Sequence, residues 1–231
     1  IYFLLLATIL IASCKPGSKT NNRSEGKPVI TVTLEPLRYL TEAIAGDRFT
    51  VVSMVPKGTS PETYDPTPQQ LVELARSKAY FRIGYIGFEQ TWTDKLTDNA
   101  PHLQFFDMSQ GVDLIYDNTH VHHHAANEKE HQHAIGVEPH IWNSAVNAQI
   151  IAGNILSALR NIDKGNEDFY LERYNTLCRK IEHTDSLIRQ TLAPPGADHA
   201  FMIYHPALSY FARDYGLHQI PIEAGGKEPS P

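Results

Sequence analysis

The chain has 231 residues, of which 42% are hydrophobic and 20% charged. These values exclude a disordered chain, and the length suffices for two ordinary domains or one protein of two lobes. The formal net charge is -6 at pH 7, and no cluster of lysine and arginine is available to neutralise phosphates, so nucleic acid is not expected as a partner. Histidine is unusually frequent, and six of the 12 histidines lie between His120 and His133.

The chain begins with an apolar, uncharged run over residues 1–13. That run is too short to span a bilayer and is typical of the hydrophobic part of a secretory signal peptide, here truncated because neither an initiator methionine nor a basic segment precedes it. It ends in Ile-Ala-Ser-Cys14, which resembles a bacterial lipoprotein cleavage site. We therefore predict lipidation of Cys14 and a flexible tether over residues 14–27. A plain signal peptide or a buried apolar segment, with a chance cysteine, is the alternative.

Strands and helices alternate through the next part of the chain. Strands separated by helices pair in parallel through right-handed crossovers, so residues 28–165 are predicted to form an α/β lobe. Ligands of such sheets bind beyond the carboxyl ends of the strands. The predicted strands cover residues 29–34, 49–55, 79–83 and 103–106, and the predicted helices begin at Pro36 and cover residues 69–77 and 89–98. The proline-rich loop over residues 56–68 follows the second strand at that edge.

The second half of the chain begins with a polar, histidine-rich stretch over residues 117–136, which predicts a mobile loop. Ser144 caps a helix that runs to about residue 162, and residues 167–192 form one uninterrupted helical pattern of roughly 26 residues and 39 Å. A strand, a helix and a strand follow, over residues 200–204, 206–215 and 218–222. Two strands do not form a stable sheet alone, so residues 194–231 are predicted to be the incomplete start of a second α/β lobe.

Three side chains lie in connections where a ligand is expected. Glu62 lies in the segment SPETYDPTP, whose prolines stiffen the loop and hold a carboxylate at little further entropic cost. His140 precedes a predicted helix, and His205 follows a predicted strand. Each alone is weak evidence, because a histidine at a helix start is more often solvated or capping and a loop glutamate is usually only hydrated.

Four segments carry a family resemblance: GTSPETYDPTPQQL, VEPHIWNS, MIYHPALSYFARDYGL and IEAGGKEPSP. In this order, they resemble landmarks of the metal-binding lipoproteins of ABC transporters, the ZnuA/TroA-like family of solute-binding proteins. The resemblance covers about residues 29–231. It implies two α/β lobes with parallel sheets, joined by one long rigid helix, with the metal in the cleft between them. The helical pattern within residues 166–193 fits that helix.

The resemblance also implies the ligands. His140 matches the ligand of the family's PHIW-like motif, and His205 matches the ligand that opens HPALSYFARDYG. Glu62 departs from the family, which usually has histidine after this proline; a carboxylate binds zinc at a similar distance, but its charge favours harder ions such as Mn²⁺. The family's fourth, acidic ligand would lie beyond Pro231, and water or Glu223 is the alternative.

The histidine-rich loop supplies auxiliary metal candidates. In the family, such an insertion accompanies zinc rather than manganese. Clustered imidazoles offer weak, mobile sites that raise the local zinc concentration, and the main site should not depend on them. The alternatives are an expression tag and a solvated low-complexity loop. The candidates are His120, His122, His123, His124, His131 and His133.

We therefore predict a monomeric protein of the periplasm or cell envelope, attached to the membrane through lipidated Cys14. It captures Zn²⁺ with high affinity and delivers it to the permease of an ABC transporter. Manganese is the alternative cargo, and a surface adhesin is an alternative function. A zinc hydrolase is a remote alternative, because the sequence has no HExxH motif and no nucleophile elbow. No enzymatic activity is predicted.

Overall fold

The computed structural model describes residues 26–116, 136–194, 196 and 198–223. Several sequence predictions fall outside these residues. They concern the signal peptide, Cys14, the tether up to residue 25 and the six clustered histidines.

The first lobe is built on a parallel sheet of four strands, β1 (Val29–Val32), β2 (Thr50–Ser53), β3 (Ala79–Arg82) and β4 (Gln104–Asp107). Their spatial order is β2-β1-β3-β4. Buried residues are concentrated in the two central strands, β1 and β3, as is usual for parallel strands covered on both faces. The strands are connected by helices α1 (Glu35–Ala45), α2 (Pro68–Ala75) and α3 (Gly87–Asn99). Helix α4 (Ala145–Ile162) follows later in the chain.

A 26-residue helix, α5, spans Glu167–Leu192 and connects the two lobes. No glycine or proline interrupts it, and acidic residues at its start and Arg189 in its last turn complement the helix dipole. Its first half packs on α4 and α1, where Tyr170 and Leu177 are buried. The helix is therefore anchored in the first lobe and extends from it toward the second.

The second lobe contains β5 (Ala200–Ile203), α6 (Ser209–Tyr215) and β6 (His218–Pro221) in the described part of the chain. Its two strands pair in parallel. Polar contacts connect it to the first lobe: Asn143 Nδ2 donates to the carbonyl of Ala207 at 2.9 Å, and Arg213 Nη1 donates to the carbonyl of Asp113 at 2.6 Å.

The predicted fold class, two α/β lobes with parallel sheets joined by one long helix, is confirmed. Two local predictions need correction. The helix predicted from Pro206 begins at Ser209, because His205 and Ala207 first form a tight turn. A short 3-10 helix, Ile141–Asn143, precedes α4 and was not predicted. Among the described residues, no helix has the length and apolarity to cross a membrane.

Candidate metal centre

Three side chains from remote parts of the chain meet between the lobes. One ligand atom each from Glu62, His140 and His205 can be chosen so that all three lie within 4.8 Å of one another. Glu62 Oε1 lies 3.1 Å from His205 Nε2 and 3.4 Å from His140 Nε2. The two Nε2 atoms are 3.4 Å apart. The structure thus brings together the three residues that the sequence singled out.

The loop that carries Glu62 leaves the carboxyl end of β2 and is braced from both sides. The Tyr64 hydroxyl donates to Gln70 Oε1 at 2.6 Å, and Gln70 Nε2 donates to the carbonyl of Met54 at 3.1 Å. The Tyr64 ring packs edge-on against Phe88, with the centroids 5.5 Å apart. These contacts join the loop to α2 and α3, which limits the positions that the carboxylate can take.

His140 is held at the N-terminus of the 3-10 helix and is only 5% exposed. Its Nδ1 forms a short hydrogen bond with Glu138 Oε1, which also accepts the backbone N–H of His140 at 2.9 Å. Trp142 lies against the ring, with the centroids 5.1 Å apart. The ring is therefore fixed on one edge and directs Nε2 toward the cluster.

His205 follows β5 and is more open, with 34% of its side chain exposed. Its Nδ1 lies 2.8 Å from Glu223 Oε2, just after β6. The hydrogen bond of the Ala207 N–H to the His205 carbonyl, 2.7 Å, closes the turn that carries the ring. Both histidines thus share one arrangement, in which a carboxylate lies on Nδ1 and Nε2 faces Glu62.

These contacts decide which ring nitrogens carry protons. An ionised carboxylate only accepts hydrogen bonds, so Nδ1 of His140 and of His205 must be the donors. In the neutral rings, Nε2 then carries no proton and presents a lone pair. Two lone pairs and a carboxylate oxygen within 3.1–3.4 Å of one another repel unless a proton or a cation lies among them. The cluster is therefore suited to hold a positive charge.

The pKa values follow the same electrostatics. Burial alone would raise the pKa of Glu138, but hydrogen bonds from His140 and Ser209, together with the charge of the ring, lower it below the usual value. Burial acts to lower the pKa of His205, yet the Glu223 hydrogen bond and the Glu62 charge raise it above 6.5. The His205 ring therefore binds a second proton more readily than a free imidazole does.

Two imidazoles and a carboxylate form a ligand set that zinc accepts, and manganese accepts the carboxylate especially well. Carboxylates on the far ring nitrogens are the usual partners of metal-binding histidines, because they fix the tautomer and raise ligand basicity. Glu138 and Glu223 occupy these positions.

Sequence reasoning missed Glu138, although an acidic residue two positions before His140 was visible as a signal. It included Glu223 as an auxiliary ligand. In the structure Glu223 contacts the opposite edge of His205 and is not part of the three-residue group. The six clustered histidines lie outside the described residues.

Two α/β lobes with imidazole and carboxylate acceptors gathered between them are typical of bilobed metal-binding proteins. The family model described as ZnuA, zinc-uptake complex component A, periplasmic, matches residues 30–231. The chain belongs to this family.

Relatives of this chain carry names of zinc and manganese transport. It is 26% identical to the high-affinity zinc uptake system protein ZnuA of Bacillus subtilis (strain 168), over 96% of this chain and 70% of the relative. It is 28% identical to the manganese ABC transporter substrate-binding lipoprotein PsaA of Streptococcus mitis, over 94% of this chain and 68% of the relative. A crystal structure of ZnuA superposes with a TM-score of 0.77 at 36% identity, covering 88% of this chain and 74% of that chain.

Proposed function

We propose that this protein captures zinc as its cargo and delivers it to a membrane importer. The proposal is supported by the group of Glu62, His140 and His205, in which one carboxylate oxygen and two imidazole Nε2 atoms lie 3.1–3.4 Å from one another. The names of the relatives, which describe uptake and substrate binding, support delivery to an ABC transporter.

The direct test is zinc titration of the purified protein by calorimetry, before and after His140→Ala. Loss of a ligand should weaken zinc binding by more than about 100-fold, which exceeds the usual effect of removing an outer partner. His183→Ala is the matched control, because this histidine is exposed on α5 and is not one of the three candidate ligands. Equal zinc affinity in the His140 variant and in the parent protein would contradict the proposal.

Zinc is proposed over manganese because two of the three candidate ligands are imidazoles, which suit zinc, whereas manganese prefers oxygen ligands. Glu62 draws the preference toward manganese. Metal analysis of protein purified without chelator should find zinc, and Glu62→His should increase the ratio of zinc to manganese further. Recovery of manganese as the main metal in the parent protein would assign the cargo to manganese.

We further propose that the protein works outside the cytoplasm as a monomer attached through lipidated Cys14. Deletion should then impair growth in zinc-poor medium without loss of attachment to surfaces, and Cys14→Ser should release the protein from the membrane fraction. Loss of attachment with normal growth would favour an adhesin. Hydrolase activity abolished by His140→Ala would favour the enzyme alternative.

A further inference from the structure

A chain of hydrogen bonds extends from the second lobe to His140 and begins at β6. The backbone N–H of Leu208 donates to Gln219 Oε1 at 2.8 Å. A backbone N–H can only donate, so this contact fixes the orientation of the Gln219 amide. Its Nε2 therefore faces Ser209 and donates to Oγ at 3.1 Å.

The Ser209 hydroxyl is the next group in this chain of hydrogen bonds, and it accepts from Gln219. Because its oxygen already accepts from Gln219, its single proton is free for another acceptor. Glu138 Oε2 lies 3.2 Å away and the carbonyl of Pro206 3.3 Å away. The carboxylate is the stronger acceptor, because hydrogen bonds to an ionised oxygen are roughly twice as strong as neutral ones.

Glu138 then connects the lobes. Its Oε2 faces Ser209 of the second lobe, while its Oε1 accepts from the ring and the backbone of His140 in the first lobe. Its carbonyl accepts the Tyr210 hydroxyl at 2.8 Å, so α6 holds both the side chain and the main chain of this residue. The carboxylate is 12% exposed, which limits the water that could replace Ser209.

From this geometry we propose that Ser209, held by Gln219, is a positioning residue for metal binding. It orients the Glu138 carboxylate so that His140 keeps its proton on Nδ1 and offers Nε2 to the cation. The second lobe thus acts on the site twice, by supplying His205 and by setting the tautomer of a histidine in the first lobe. This inference rests on the proposed metal-binding function, but part of its test needs no metal.

The first measurement is the ¹⁵N spectrum of the His140 ring in the metal-free full chain, at a pH where the ring is neutral. The parent protein should show a proton on Nδ1, and Ser209→Ala should give a mixture of the two tautomers. A proton on Nε2 in the parent protein would overturn the proposal whether or not the protein binds metal.

The second measurement is zinc affinity by calorimetry. Ser209→Ala should weaken binding by about 3- to 10-fold, less than the 10- to 100-fold usual for a partner that touches the ligand itself. Ser209→Thr keeps the hydroxyl and should restore the affinity, and Ser186→Ala, exposed on α5, is the control. Parent-like affinity and tautomer in Ser209→Ala, or no rescue by threonine, would contradict the proposal. Absence of zinc binding in the parent protein would reject the proposed function instead.

Discussion

At the scale of single residues, His205 shows how a proton and a metal compete for one atom. The Glu223 and Glu62 carboxylates raise its pKa above 6.5 against the opposing effect of burial. The interaction of protonated His205 with these carboxylates therefore stabilises the metal-free protein. This stabilisation is fully present below pH 6.5 and is lost as the pH rises through the raised pKa. Zinc needs the same nitrogen without its proton, so its binding has the opposite pH dependence.

We expect zinc affinity, measured by calorimetry at pH 7.5 and 5.5, to be markedly lower at pH 5.5. The decline should begin above pH 6.5, because the pKa of His205 is raised. The increase in melting temperature on adding zinc should likewise be larger at pH 7.5 than at pH 5.5. Equal affinities at the two pH values would argue strongly against histidine ligation.

Glu223→Gln separates the two roles of the Glu223 carboxylate. The neutral amide no longer holds the His205 ring as firmly, so zinc affinity at pH 7.5 should fall by roughly 10-fold. It also removes a charge that raises the pKa of His205, so the pH at which zinc binding declines should move lower. Titration of both proteins across several pH values would measure the two effects. An unchanged pH dependence would contradict this role.

At the scale of elements, Glu89 fills the crevice between the carboxyl ends of β1 and β3, where open α/β sheets usually bind ligands. It is 1% exposed and accepts the Thr33 hydroxyl. It also accepts the backbone N–H groups of Ile83 at 2.9 Å, Gly84 at 2.6 Å and Ile86 at 3.3 Å. This buried carboxylate joins α3 to the sheet and occupies the crevice, while the candidate site lies farther out in the loops.

Glu89→Ala should destabilise the protein by about 3 kcal/mol or more, because three backbone N–H groups lose their acceptor in a buried crevice. Glu89→Gln keeps one acceptor oxygen and should have a smaller effect. Urea denaturation would measure both. The matched control is Glu73→Ala, an exposed glutamate on α2, for which we expect a change within about 0.5 kcal/mol. Equal stability of Glu89→Ala and the control would show that the N–H groups find other partners.

The sequence predicted the helices and strands more completely than the contacts between side chains. The bounds of α5 agree with the predicted 167–192, because an uninterrupted helical pattern between a glycine and a proline pair leaves few alternatives. The first-lobe strands agree within three residues. The Glu138–Ser209 contact joins residues 71 apart, and it depends on how the second lobe is placed. No local pattern carries that information.

At the scale of the whole molecule, Tyr210 connects the lobes from a fully buried position. Its hydroxyl accepts the N–H of Ile115 at 3.2 Å and donates to the carbonyl of Glu138 at 2.8 Å. Both backbone groups flank the histidine-rich stretch in the sequence. One phenol therefore holds Ile115 and Glu138, on either side of that stretch in the sequence, against α6.

Tyr210→Phe should destabilise the protein by about 1–3 kcal/mol, since two backbone groups lose their partner. It should also weaken zinc binding, because Glu138 loses a contact that holds it beside His140. Thermal denaturation and calorimetry would measure the two effects. Tyr39→Phe is the control, as Tyr39 is 60% exposed. A Tyr210 variant with parent-like stability would show that this connection between the lobes is dispensable.

The 26-residue helix α5 has a mechanical consequence. Its first half is packed on the first lobe and its second half extends about 20 Å farther, so a bend of about 10° between the two halves would displace the far end by roughly 3 Å. Metal–ligand distances tolerate about 0.2 Å. The helix is thus a lever arm that magnifies small defects, and a substitution where Leu177 meets the first lobe would disturb coordination without approaching the ion. The candidate ligands from the two lobes therefore stay in place only if α5 keeps its shape.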